Sequence, residues 1–159
     1  MGRKLRQLAG YYRPYRGLFL ADLFFAVLGA AVTLAIPLIV RYITSNVIVL
    51  PGGEALRKIL WLGALMVGLV AMEFFCNFFI AYFGHMMGAR IEHDMRNEIF
   101  GHYQKLSFSF YDNQKVGQLL SRITSDLFDI SELLHHGPED VVISLMKFVG
   151  SFVILFAIN

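Results

Sequence analysis

The sequence predicts an all-α membrane protein, with three transmembrane helices carrying long helical extensions into the cytoplasm. Two observations carry that expectation. Of its 159 residues, 57% are hydrophobic and the mean hydropathy is +0.58, too apolar for an ordinary soluble domain. The apolar residues gather in three stretches, about 17–40, 59–81 and 141–158. Each is near the ~20 residues a helix needs to cross roughly 30 Å of hydrocarbon at its rise of about 1.5 Å per residue.

Residues 1–16 are read as a cytoplasmic interfacial elbow. Leu5, Leu8 and Tyr12 share one helical face while Arg3, Arg6 and Arg13 fall largely elsewhere, a pattern suited to the headgroup layer and equally to a plain topology signal. Pro14 and Gly17 mark the turn into the first span. That span holds one charge, Asp22, and is too long for a signal peptide, so it reads as a retained anchor that Pro37 bends without interrupting. Arg3, Lys4, Arg6, Arg13 and Arg16 outnumber Arg41, Arg57 and Lys58 on the far side, which places the N-terminus in the cytoplasm. Pro51, Gly52 and Gly53 supply the turn of a short outer loop, making spans one and two an antiparallel pair.

The intracellular loop, residues 82–140, is the informative part. Met87, Ile91, Met95, Ile99, Tyr103 and Leu106 repeat at intervals of four and three, with Glu92 placed to pair with Arg96. A second stripe follows in Val116, Leu119, Leu120, Ile123, Leu127, Ile130 and Leu134. Two helical arms, each extending roughly 35 Å, therefore face one another. The tip between them, residues 107–115, clusters three aromatics and offers Asp112 and Asn113 as caps for the second arm. Aromatics at the end of a solvated hairpin either pack back on the arms or meet a partner.

The run Phe108-Ser109-Phe110-Tyr111-Asp112-Asn113-Gln114-Lys115-Val116-Gly117-Gln118-Leu119-Leu120-Ser121-Arg122-Ile123-Thr124-Ser125-Asp126 resembles the first intracellular loop of ABC exporter transmembrane domains of the multidrug and lipid type. In that family an aromatic-aromatic-Asp tip precedes Gly, two or three apolar residues, Ser-Arg and a later Asp. The likeness continues upstream at Arg90, Asp94, Arg96, Phe100 and Leu106. It implies that residues 17–159 are the first half of a six-helix domain in a half-transporter that works as a homo- or heterodimer in the plasma (inner) membrane. It also implies a nucleotide-binding domain using ATP and Mg²⁺, into which Phe108, Ser109, Phe110, Tyr111, Asp112, Asn113, Gln114, Lys115, Val116 and Gly117 dock as a coupling helix. The expected substrate is an amphiphile of unspecified kind, and no nucleic-acid partner is expected. The chain carries no Gly-x-x-x-x-Gly-Lys-Ser/Thr loop, so ATP hydrolysis is expected only of a longer protein of which this is a piece. The contrasting reading is a free-standing three-helix scaffold that recruits a cytoplasmic partner through its tip.

Three charges fall within the spans. Counted from the cytoplasmic edge, Asp22 and Lys147 lie about 8 to 9 Å deep, and Glu73, about 21 Å from the outer edge, falls near that level in a ~30 Å slab, which makes Asp22, Glu73 and Lys147 candidates for the transport path or an intramembrane pair, with Glu73 and Lys147 able to pair. The alternative has Lys147 snorkelling and Glu73 protonated beside Asn77. Glu132, His135 and His136 resemble a Glu-x-x-His metal motif but lack its second copy, so no metal is expected. Cys76 is single and lies within an apolar span.

Overall fold

The computed structural model describes residues 2–112 and 114–158, with side chains from Arg6 onward. Every element among them is helical: α1 (Gly2–Gly10), a 3₁₀ turn (Arg13–Tyr15), α2 (Arg16–Tyr42), α3 (Gly52–Phe79), α4 (His85–Tyr103), α5 (Phe108–Asp112), α6 (Val116–Ser121) and α7 (Leu127–Ile158). π-helical turns follow α2, α3 and α6 at Ile43–Val47, Ile80–Gly84 and Arg122–Asp126. Three helical stretches are long and apolar enough to cross a membrane. The chain divides into two compact units, Met1–Ala21 with Tyr82–Pro138, and Asp22–Ala81 with Glu139–Asn159.

The first unit is built on the stripe of α4. Met87, Ile91 and Met95, four residues apart, are buried and meet Leu127 of α7, with Ile99 and Leu134 packed beside them. Glu92 and Arg96 pair as their spacing predicts, and Arg96 Nε also donates to the Ile123 carbonyl at 3.4 Å. The second stripe behaves differently from its sequence pattern. Leu119, Ile123 and Leu127 are buried but Val116 and Leu120 are exposed, while Ser131 and His135 complete the inward row. The row advances by four residues each time, as on α4, and the π turn at Arg122–Asp126 lies within it.

The N-terminal segment is fastened to this unit by tyrosines. The hydroxyls of Tyr11, Tyr12 and Tyr15 donate to the Glu98 carboxylate, the Leu134 carbonyl and, at 2.9 Å, Asp94 Oδ2. Burial, followed by the Glu98 carboxylate, pushes the Tyr11 hydroxyl up to about 12. Burial likewise raises that of Tyr12, whose ring packs on Phe19 at 4.7 Å. The side chains of Arg3, Lys4 and Leu5, on which the interfacial reading partly rests, lie outside those described.

In the second unit α2 and α3 are antiparallel. Phe25 packs on Phe79 at 4.1 Å, Gly29 lies against Cys76, and Thr33 meets Glu73, so the paired numbers run in opposite directions. Gly29 sets the spacing, since a Cβ there would stand 3.4 Å from that of Cys76. Gly150 of α7 sits on Leu34 even more closely, at 2.5 Å from an added Cβ to Leu34 Cδ1. The connection between α2 and α3 is shorter than the sequence predicts. Pro51 is the N-cap of α3, so Gly52 and Gly53 form its first turn with Glu54, whose charge suits a helix N-terminus. Large apolar side chains remain on the outside of α3 and α7, Trp61, Phe74 and Phe156 among them, as befits surfaces made for lipid or further helices.

Candidate coupling tip and intramembrane polar site

The tip is a single short helix held at one end. After α4, Lys105 N and Leu106 N close turns on His102 O and Tyr103 O, and Ser107 then starts α5, its carbonyl accepting from Phe110 N at 3.0 Å. The Ser107 and Ser109 hydroxyls lie 2.8 Å apart. Tyr111 OH donates to the Tyr103 carbonyl at 2.6 Å, tying α5 to the last turn of α4. Phe110 meets the Tyr111 ring edge-on at 5.3 Å and both are half-buried, whereas Phe108 is 90% exposed. The aromatics thus divide: Tyr111 is tied to the arm with Phe110 against its ring, and Phe108 is presented to the surroundings.

The start of the second arm corrects one expectation. Asp112 ends α5 and Asn113 lies outside the described residues, while Lys115, in extended backbone, is the N-cap of α6 without a side-chain cap bond. The Lys115 carbonyl instead accepts from Gln118 N at 2.8 Å. Gln114, Lys115, Val116 and Gly117 are all exposed. An apolar groove of about 190 Å³ opens between Phe100, Tyr103, Tyr111, Leu119 and Ile123, with exposed Val116 and Leu120 on its wall.

The charges within the spans are arranged otherwise than their counted depths suggest. Thr33 Oγ1 donates to Glu73 Oε1 at 2.7 Å, so Glu73 is level with Thr33, about 16 Å along α2 from Asp22 at the helical rise. The expectation of one shared depth fails because α2 and its π turn continue to Val47 and α3 begins at Gly52, so the helices extend beyond their apolar stretches. Lys147 lies one turn before Gly150, near Glu73 along the axis, yet it is exposed and the two form no ion pair within 4.0 Å. Asp22 is buried at 2% exposure.

The Thr33 hydroxyl has a second acceptor, the Gly29 carbonyl at 3.0 Å. Thr33→Val removes the hydroxyl that donates to Glu73 Oε1 while keeping shape, so it is expected to lower stability by about 0.6–1.7 kcal/mol, the range for polar contacts between membrane helices. Glu73→Ala is expected to cost less, since the hydroxyl falls back on Gly29. Thermal unfolding of both variants in detergent orders the two.

Comparison with known proteins agrees with this architecture. A family model for the ABC transporter transmembrane region matches residues 19–159. Among curated relatives, the uncharacterized ABC transporter ATP-binding protein YwjA of Bacillus subtilis is 43% identical over 98% of this chain and 26% of its own length. YknU of the same organism, similarly described, is 33% identical over 86% of the chain and 23% of its length. An ATP-dependent lipid A-core flippase of Shewanella oneidensis is 26% identical over 95% of the chain and 28% of its length. The chain spans about a quarter of the length of these relatives. With its three apolar helices and the matched region covering nearly all of it, the chain belongs to the ABC transporter transmembrane region family and is membrane-spanning sequence of an ABC transporter.

Proposed function

We propose that this chain is the leading part of an exporter's transmembrane domain and that its tip couples ATP hydrolysis to substrate movement. Residues 1–16 form the elbow, residues 17–40, 59–81 and 141–158 supply the membrane-crossing cores, and residues 82–140 form the intracellular loop of a multi-pass protein of the plasma (inner) membrane. The basic N-terminal segment supports a cytoplasmic N-terminus. The nucleotide-binding domain of the same transporter, with its ATP and Mg²⁺, receives residues 108–117, and a second half-transporter completes an amphiphile-carrying dimer. The names of the relatives, which are ATP-binding proteins and an ATP-dependent flippase, support that reading.

One observation carries the coupling role. Phe108 is 90% exposed on a helix whose neighbouring Tyr111 is bonded to the arm, so a rigid mount presents one large apolar side chain outward. An aromatic anchor offered in this way gains most by filling a partner's pocket. Motion of that partner would then pass into α4 and α7 through their shared core, provided the partner favours one of two arrangements.

A photo-crosslinking residue at position 108 of the whole-length transporter tests the docking, with adducts expected on peptides of the ATP-binding domain. Phe108→Ala is expected to lower ATPase activity of the reconstituted protein about fivefold or more, the weight of a buried interface anchor. Crosslinks confined to lipid or to membrane helices, with unaltered ATPase activity, remove the proposal.

A further inference from the structure

We propose that His85, His135 and His136 form a binding site for a divalent transition metal of the zinc class, at the end of the α4–α7 hairpin away from the tip. The side chains come from two helices. His85 opens α4, and His135 and His136 lie in the first half of α7. Each offers a ring nitrogen, and these three atoms lie within 4.8 Å of one another. The ring centres are 4.9 Å apart for His85 and His135, 5.2 Å for His85 and His136, and 4.5 Å for His135 and His136.

The backbone makes this convergence feasible. Consecutive residues of a helix point about 100° apart, so His135 and His136 do not both face the core. His135 takes the inward position at 2% exposure and rests against Gly88, where an added Cβ would come within 3.4 Å of the His135 Cβ. His136 stays at the margin, and exposed His85 reaches across from α4 to both. Glu132 Oε2 lies 3.5 Å from His136 Nε2, the place of a carboxylate that orients a metal-bound imidazole from outside.

Three imidazoles select the metal class. Neutral ring nitrogens suit zinc, cobalt, nickel and copper, whereas magnesium and calcium require oxygen ligands. In a tetrahedral site with metal–nitrogen bonds of about 2.0–2.1 Å, the nitrogens stand roughly 3.3 Å apart, so the three rings, whose nitrogens lie within 4.8 Å of one another, would draw together on binding. Three protein ligands leave a fourth position for water. The bound ion would join α4 to α7 and stiffen the hairpin at the end opposite the tip.

Cobalt(II) titration of the intact transporter in nanodiscs, without nucleotide, is the test. A visible d–d band saturating at about one ion per chain and displaced by zinc is expected. His85→Gln and His136→Gln, at positions that spare the buried ring, should each weaken cobalt binding at least about tenfold, and Glu132→Gln should weaken it about 10- to 100-fold while leaving the band shape. The proposal is overturned if the wild-type protein shows no band, or if both histidine variants bind cobalt with unaltered affinity.

Discussion

Ile91→Ala is expected to lower the unfolding free energy of the α4–α7 unit by about 2–5 kcal/mol. Ile91 is fully buried, with Met87 and Met95 of its own helix and Leu127 of α7 completing the cluster. The substitution removes three carbon groups, worth about 2.4 kcal/mol at ~0.8 kcal/mol each, before any cavity term. A cavity then adds to the loss, because both neighbours on α4 are fixed by the same helix and cannot close around it independently. Leu133→Ala provides the comparison: Leu133 is 68% exposed, so its replacement should fall within about 0.5 kcal/mol of wild type. Thermal unfolding of the two variants, followed by circular dichroism and by protease cleavage within α4, separates the outcomes. Equal melting behaviour would mean that the stripe does not form the core described.

That stripe was legible in the sequence because its signal is local. Met87, Ile91 and Met95 recur at helical spacing, and burial follows directly from the spacing. On the second arm the same reasoning finds Leu119, Ile123 and Leu127 but also selects Val116 and Leu120, which are exposed. The inward row keeps to a step of four through the π turn at Arg122–Asp126, which leaves Val116 and Leu120 on the neighbouring, exposed face, and no residue type announces such a turn. The apolar pattern does not place Ser131 and His135 on that row, for a related reason. Polar residues on a buried row are recognised only when their partners are known, and Ser131 Oγ donates to Phe128 O within its own turn.

The tip and the intramembrane site show the same division. An aromatic cluster at a chain reversal is visible in sequence, but which ring anchors and which is offered depends on a bond from Tyr111 to the backbone of Tyr103. For Glu73 the sequence holds the charge and not the register. Its partner is fixed by the register in which α3 pairs with α2, and that register puts Glu73 level with Thr33, about 16 Å along the axis from Asp22. The three tyrosines of the N-terminal segment were the least legible, because each bonds across 79 residues or more.

One of those tyrosines answers a defect that the sequence does display. Pro138 lies inside α7 and has no N–H, so the carbonyl four residues earlier, that of Leu134, lacks its helical donor. The Tyr12 hydroxyl donates to that carbonyl. Tyr12→Phe keeps the ring and its packing on Phe19 while leaving the carbonyl unpaired, at an expected cost of about 1–3 kcal/mol. Pro138→Ala restores a backbone donor, so in that background the same substitution should cost only about 0.5 kcal/mol. The difference between backgrounds isolates the carbonyl from every other contact of Tyr12, since the ring is unchanged throughout. Four melting curves complete the cycle, and equal costs with and without the proline would show that the hydroxyl stabilises the N-terminal segment by some route other than the Leu134 carbonyl.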